Sequence, residues 1–261
     1  MSASAVGTPE ELADRLLAAP GRTGLFLDFD GTLAPIVDDP EQSAMPERLR
    51  PALETLAGRL GVLGIVSGRP ADFLIERVRV PGALLLGLYG LQEAVDGEVS
   101  PRPEAAQWQE AVDRARHELT QAFDGRDGLY VEDKGLAVAA HYRNAPEARQ
   151  EVERLVGGLA DETGLRREPG KQVEELRPPV DWDKGAAVGA VTDERELEVI
   201  AYLGDDLGDM TAFEVVRERG GVAAGVDHGQ ETPEELRATV SVLFEGTEAV
   251  ADWLESLASR C

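Results

Sequence analysis

Leu25-Phe26-Leu27-Asp28-Phe29-Asp30-Gly31-Thr32-Leu33-Ala34-Pro35 is the stretch on which the reading turns. Its first residues are apolar on both sides of Asp28, the pattern of a strand buried on both faces of a parallel sheet. Two carboxylates with one residue between them would line the same face of a continuing strand. Just past the strand the backbone turns, and Gly31 permits the turn that brings Asp28 and Asp30 to one centre. In an open α/β sheet that place, outside the carboxyl end of a strand, is where ligands bind. A carboxylate buried in apolar surroundings is costly unless compensated, and a divalent cation compensates it well. An Asx-turn or helix cap is the plainer alternative and accounts for less of the pattern.

Working outward, short apolar runs alternate with helical patterns, as in a parallel α/β sheet. A helix over Pro46–Arg59 carries Leu49, Leu53, Leu56 and Leu60 at helical spacing. Strands are predicted at Val62–Val66, ending in Ser67-Gly68-Arg69, and at Ala83–Leu88, ending in Tyr89-Gly90. Later strands are predicted at Glu198–Leu203, Gly221–Val226 and Val240–Phe244. Between Pro101-Arg102-Pro103 and Pro178-Pro179 the pattern changes, and prolines mark both boundaries. Inside lie a helix (Glu104–Phe123), two strands (Gly128–Asp133, Leu136–Tyr142), a helix (Pro146–Thr163) and two strands (Leu165–Glu168, Gln172–Arg177). The expected fold is α/β: a Rossmann-like parallel-sheet core from residues 1–100 and 180–261, with an inserted α+β cap of order αββαββ over 101–179.

Fifty acidic against 26 basic residues give a formal charge of −24 in 261 residues, which argues against a nucleic-acid partner. The excess has two explanations, a strongly solvated surface or a salty cytoplasm, of which the first is preferred. One cysteine, Cys261, excludes an internal disulfide framework and a cysteine metal site. No apolar run reaches a membrane span, and the first residues lack the features of a secretory signal, so a soluble, cytoplasmic protein without a membrane partner is expected, as a monomer. Only three of the 26 bases are lysines: Lys134, Lys171 and Lys184. A chain rich in arginine that keeps lysine at three positions invites attention to a compact ammonium there.

A second acidic cluster, Gly204-Asp205-Asp206-Leu207-Gly208-Asp209, follows another apolar strand. Adjacent carboxylates at a strand end repel and are hard to justify without a cation, although Asp206 or Asp209 could also cap a helix. Ser67 and the amides of its turn can bind a phosphate oxygen, and a plain turn explains that segment equally well. Lys184, in Trp182-Asp183-Lys184-Gly185-Ala186 before a helix, can meet anionic charge. His117 and His228 read as surface residues, and Trp108, Trp182 and Trp253 as packing residues.

In order along the chain these pieces are an Asp pair, a Ser, a Lys and an Asp pair, which resembles the haloacid-dehalogenase-like phosphatases from about Leu25 onward. Leu27–Pro35 (LDFDGTLAP), Glu132–Asn144 (EDKGLAVAAHYRN), Gly170–Pro178 (GKQVEELRP) and Asp181–Gly185 (DWDKG) are similar to the trehalose-6-phosphate phosphatases in particular. All three lysines fall within these segments.

The resemblance implies a Mg²⁺-dependent phosphatase acting through an aspartyl-phosphate. By it, Asp28 is the nucleophile and Asp30 the general acid and base, and Ser67 and Lys184 bind the transferring phosphoryl oxygens. Asp28, Asp205 and the backbone carbonyl of Asp30 hold Mg²⁺, with Asp206 in support. Thr32 and Arg69 count among the substrate-binding residues, Thr32 also as a support of the loop. In the cap the implied sugar contacts are Glu132, Lys134, Lys171 and Glu175, with His141 and Arg143 as further candidates. The substrate implied is trehalose 6-phosphate; alternatives are sucrose phosphate, mannosyl-phosphoglycerate or an amino-sugar phosphate of a natural product. A sugar phosphomutase uses the same intermediate, whereas a non-catalytic binding module has no need of a nucleophile. Two departures stand out. The family's last motif usually reads GDDxTDExxF, where this chain has Gly208 for the Thr and Met210 for the Glu, with Thr211 at a free position beside them, a change that bears on the geometry of the metal loop and not on its presence. Tyr89 stands in a turn where many relatives have His.

Overall fold

The computed structural model describes residues 7–37 and 39–261. In chain order the elements are α1 (Pro9–Leu17), β1 (Thr23–Asp28), α2 (Arg50–Arg59), β2 (Val62–Val66), α3 (Ala71–Val78), β3 (Leu84–Gly87), β4 (Gln92–Val95) and β5 (Glu98–Pro101). There follow α4 (Pro103–Ala106), α5 (Gln109–Phe123), β6 (Tyr130–Asp133), β7 (Val138–His141), α6 (Arg149–Thr163), β8 (Arg166–Gly170) and β9 (Val173–Arg177). The chain ends with α7 (Lys184–Glu194), β10 (Val199–Gly204), α8 (Met210–Glu218), β11 (Val222–Val226), α9 (Glu234–Thr239), β12 (Val242–Phe244) and α10 (Gly246–Ser259). Two compact units result, one from the residues up to Ser100 together with Trp182–Cys261, the other from Pro101–Asp181.

The first unit is a twisted eight-stranded sheet in the order β12-β11-β10-β1-β2-β3-β4-β5. All six residues of β1 are buried, because the strand is central and covered on both faces. Its odd residues Leu25 and Leu27 join one apolar layer with α1, α2, α3 and α10, while Phe26 joins the other with α7, α8 and α9. β1 pairs in parallel with β2 on one side and β10 on the other, the strand order running outward in opposite directions from it. This is the switch point at which such sheets open a crevice. Register aligns the exits: Asp28 lies opposite Val66, and Leu27 opposite Leu203, so the segments beginning at Ser67 and Asp205 leave the same edge as Asp28.

Three local features depart from the expected elements. The helix expected from Pro46 begins as a 3₁₀ turn, Glu47–Leu49, and becomes α-helical only at Arg50. The helix expected from Glu104 is broken in two after Ala106. A hairpin, β4–β5, extends the sheet in antiparallel fashion past β3. Its turn is Asp96-Gly97 with both residues at positive φ, the arrangement that a tight hairpin requires. β5 is exposed throughout, so it lacks the apolar pattern that reveals a buried strand.

The second unit is a four-stranded antiparallel sheet, β6-β7-β9-β8, with α5 and α6 packed on one face through Val112, Leu119, Val152, Val156, Val138, Ala140 and Leu176. Its order is the αββαββ of the sequence reading. Among the described residues no helix is long and apolar enough to cross a membrane.

Candidate active site

Lys184 opens α7, whose N-cap Asp183 accepts from the Ala186 amide at 2.8 Å. Only 6% of its side chain is exposed, and its ammonium donates to Asp28 Oδ1 at 2.8 Å and to Asp209 Oδ1 at 2.6 Å. Burial alone pulls the ammonium toward neutrality, but the two carboxylates outweigh it and hold Lys184 above its ordinary value, hence charged. Burial pushes the Asp28 carboxyl well up, against the opposing pull of Lys184.

Asp209 is fully buried and spends both oxygens on this chain. Oδ1 accepts from Lys184 and, at 2.5 Å, from the Tyr202 hydroxyl; Oδ2 accepts from the amides of Asp205 and Asp206 at 2.9 and 3.1 Å. Burial first, and the Asp209 charge next, push the Tyr202 phenol up, so it stays a donor. Of the two aspartates suggested as caps, Asp206 accepts from the Gly208 amide at 2.8 Å, and Asp209, accepting from the Asp206 amide, supplies the other half of the same capping box. Gly204 is needed here because a Cβ on it would lie 2.3 Å from Asp209 Cγ.

Asp28, Asp205 and Asp209 each offer a carboxylate oxygen within 4.8 Å of one another. Three carboxylates against one ammonium leave this buried cluster with a formal excess of two negative charges, −3 + 1 = −2. Asp205 Oδ1 is buried with no hydrogen-bond partner, and burial, then the Asp209 charge, push its carboxyl up to about 7. Since Asp209 has no lone oxygen to give, Asp28 and Asp205 are the carboxylates that fit a hard divalent cation, the number Mg²⁺ commonly takes from a protein. Gly31, with φ +81°, lies so close that a Cβ would stand 2.1 Å from Asp205 Oδ2.

The carboxylates of Asp30 and Asp206 stand outside this cluster. Asp30 accepts from Ser43 Oγ at 2.6 Å and from Arg69 at 2.9 and 3.2 Å, while Asp206 caps its turn. A cavity of about 210 Å³ is lined by Asp28, Asp30, Ser67, Gly68, Arg69, Tyr89, Lys184, Asp206 and Gly208. It thus gathers the expected nucleophile, acid, hydroxyl and lysine, and Arg69 with them. Thr32 is fully buried in the loop and is not among the residues that line this cavity. His228, expected at the surface, is only 18% exposed: Nε2 donates to the Gly31 carbonyl at 2.8 Å and lies 3.7 Å from Asp205 Oδ2. His117 is exposed, and Trp253 packs on Phe244 with ring centroids 5.2 Å apart.

In the second unit, the sheet face away from the helices carries an ion pair and a histidine–carboxylate contact. Lys134 Nζ meets Glu175 Oε2 at 2.6 Å, and His141 Nε2 meets Glu132 Oε2 at 2.8 Å. Arg143, just past β7, and Lys171, in the turn between β8 and β9, are exposed.

This fold, an open and largely parallel sheet with a carboxylate pair, a lysine and a second acidic loop at its switch point, is similar to that of the haloacid-dehalogenase-like hydrolases. One such hydrolase from Bacteroides thetaiotaomicron superposes with a TM-score of 0.62 at 15% identity, covering 90% of this chain and 99% of that one. A solved trehalose-6-phosphate phosphatase related protein superposes with a TM-score of 0.72 at 24% identity, over 91% and 97% of the two chains. The family model described as trehalose-phosphatase matches residues 26–243. A trehalose-phosphate phosphatase of Mycobacterium marinum is 36% identical over 247 residues, 92% of this chain. The chain spans 62% of the length of that relative. This chain belongs to the trehalose-phosphatase family.

Proposed function

We propose that the chain hydrolyses trehalose 6-phosphate to trehalose and phosphate, with Asp28 as nucleophile and Mg²⁺ as cofactor. The observation that carries this is the convergence of Asp28 on Lys184 and on the unpartnered oxygen of Asp205 at the switch point of the sheet. The first unit is then the catalytic core and Pro101–Asp181 the specificity cap.

Asp28 attacks phosphorus in line: a bond forms from its carboxylate oxygen as the bond from phosphorus to the sugar oxygen breaks. The electron pair goes to that oxygen, which takes a proton from Asp30. In the second step Asp30 removes a proton from water, the water oxygen bonds to phosphorus, and phosphate leaves Asp28 as a free carboxylate. Lys184 and Ser67, which line the same cavity, bind the equatorial oxygens, whose charge is spread in the transition state. Asp28 and Asp205, with the Asp30 backbone carbonyl by family resemblance, hold Mg²⁺, which when bound offsets the repulsion between Asp28 and the phosphate dianion. The pairs Glu132–His141 and Lys134–Glu175 offer charged groups for sugar hydroxyls, together with Arg143 and Lys171.

The test is phosphate release from a panel of sugar phosphates with and without Mg²⁺, expressed as specificity constants. Preference for trehalose 6-phosphate that depends on Mg²⁺ supports the proposal. Better hydrolysis of sucrose phosphate or another sugar phosphate keeps the chemistry and replaces the substrate.

A further inference from the structure

Leu88 and Tyr89 adopt left-handed backbone conformations in succession, with φ of 48° and 60°. Side chains with a Cβ rarely accept one such residue, and two in a row persist only where the surroundings impose them. Here three backbone bonds do so. Ser67 N donates to Leu86 O at 2.9 Å, Tyr89 N to Ser67 O at 2.8 Å, and Leu88 N to Arg69 O at 2.9 Å. The strained turn is thereby laced to the Ser67-Gly68-Arg69 turn, residue against residue.

What this arrangement achieves is the placement of one side chain. The tip of Tyr89 lies against Gly68, so close that a Cβ on Gly68 would stand 2.9 Å from both Cζ and Oη. The ring is not sealed into the core: Tyr89 remains 36% exposed and lines the cavity that holds Asp28, Asp30, Ser67 and Lys184. A large amphipathic side chain on a strained turn, at the wall of a catalytic cavity, is ill explained by packing. An asparagine or glycine would relax the turn, so the large side chain is kept there against the backbone's preference.

We infer that Tyr89 is a specificity-determining residue whose phenol hydrogen-bonds a hydroxyl of the sugar that leaves with the ester oxygen. The inference rests on the phosphatase reading and adds to it a discriminating contact made by the catalytic unit itself. Lys184 and Ser67 answer to the phosphoryl group, which every phosphate ester shares. A phenol on the same wall answers to the part that differs, and a lost polar partner in such a site discriminates strongly.

The test compares wild type with Tyr89→Phe on trehalose 6-phosphate and on p-nitrophenyl phosphate, which has no sugar hydroxyl. Tyr89→Phe keeps ring, volume and turn, so thermal melting serves only to confirm an intact fold. The expected result is a KM for trehalose 6-phosphate raised about tenfold, with kcat/KM for p-nitrophenyl phosphate within about twofold of wild type. Equal losses on both esters, or no loss on either, overturn the role of Tyr89 while leaving an active phosphatase. A wild type that releases phosphate from neither ester overturns the phosphatase reading and the Tyr89 role with it.

Discussion

Arg69 grips the carboxylate of Asp30 in a fork, Nε to Oδ2 at 2.9 Å and Nη2 to Oδ1 at 3.2 Å. The same guanidinium donates to the Pro40 carbonyl at 2.9 Å and lies over the Phe73 ring at 4.5 Å, so the fork is itself held. Asp30 is thus oriented from outside the Asp28–Asp205 cluster, as suits the proton-transfer role proposed for it. Asp30→Asn keeps an acceptor for Arg69 but has no proton to exchange. With trehalose 6-phosphate its turnover is expected to fall about 10²–10⁴-fold. With p-nitrophenyl phosphate, whose leaving group needs no proton, a burst of p-nitrophenol close to one equivalent is expected, followed by a stall. Steady turnover of both esters at the wild-type rate removes Asp30 from the proton pathway.

Lys184 stands between Asp28 and Asp209, all three nearly inaccessible. Lys184→Met leaves two buried carboxylates facing one another without a cation, and removing one partner of a buried pair costs about 3–5 kcal/mol. Urea unfolding in the presence of a chelator should show that loss. Mg²⁺ should restore part of the stability but none of the activity, since the phosphoryl oxygens have lost their ammonium. Unchanged stability in the chelator would mean that the Lys184 ammonium does not hold Asp28 and Asp209 together in the fold.

Much of this site was legible before the structure, and the part that was not has a common cause. Asp28, Ser67, Lys184 and Asp205 each follow or precede a strongly patterned element, so strand and helix ends placed them together. Asp209 was ambiguous because its spacing from Asp206 suits a cap as well as a salt bridge; in the structure it serves in both, completing the Asp206 capping box through Oδ2 and pairing with Lys184 through Oδ1. One signal was available: Tyr202 sits inside an apolar strand, where its hydroxyl must find a partner. His228 carried no local pattern at all, since a loop histidine acquires a partner only through tertiary folding. The β4–β5 hairpin was missed for the opposite reason: Asp96-Gly97 announced it, but β5 is exposed throughout and the buried positions of β4 are held by Gln92 and Ala94, which leaves little apolar pattern.

Asp205 gives a dependence on pH whose sign is fixed. Its carboxyl, pushed up to about 7 by burial and by Asp209, takes up a proton on folding that the unfolded chain would release near its ordinary value of 3.8. Its protonation therefore favours the fold most at low pH, and the benefit fades as pH rises through about 7. A cation at Asp205 replaces that proton. The rise in melting temperature produced by Mg²⁺ should be larger at about pH 8 than at about pH 5.5, and titration calorimetry at the lower pH should register proton release. Affinity for Mg²⁺ that is flat across this interval would place the ion away from Asp205.

His228 reaches the turn after β1 from the far side of the sheet order, and its own loop is braced to do so. Its amide donates to Thr232 Oγ1 at 2.6 Å, and Arg237 Nη2 pairs with Asp227 at 2.7 Å. A carbonyl only accepts, so Nε2 carries the proton that holds Gly31. Gly31 in turn abuts Asp205 with no room for a Cβ, which makes His228 a positioning residue for both acidic loops. His228→Ala should cost about 1 kcal/mol of stability, the worth of a hydrogen bond. A merely structural loss would stop there. If His228 positions the loops, kcat falls about tenfold at unchanged KM and Mg²⁺ binds more weakly, while His228→Gln, which still offers a donor, recovers most of both. Failure of Gln to recover either, with Ala and Gln equally stable, would show that the ring's bulk rather than its donated bond matters to the turn.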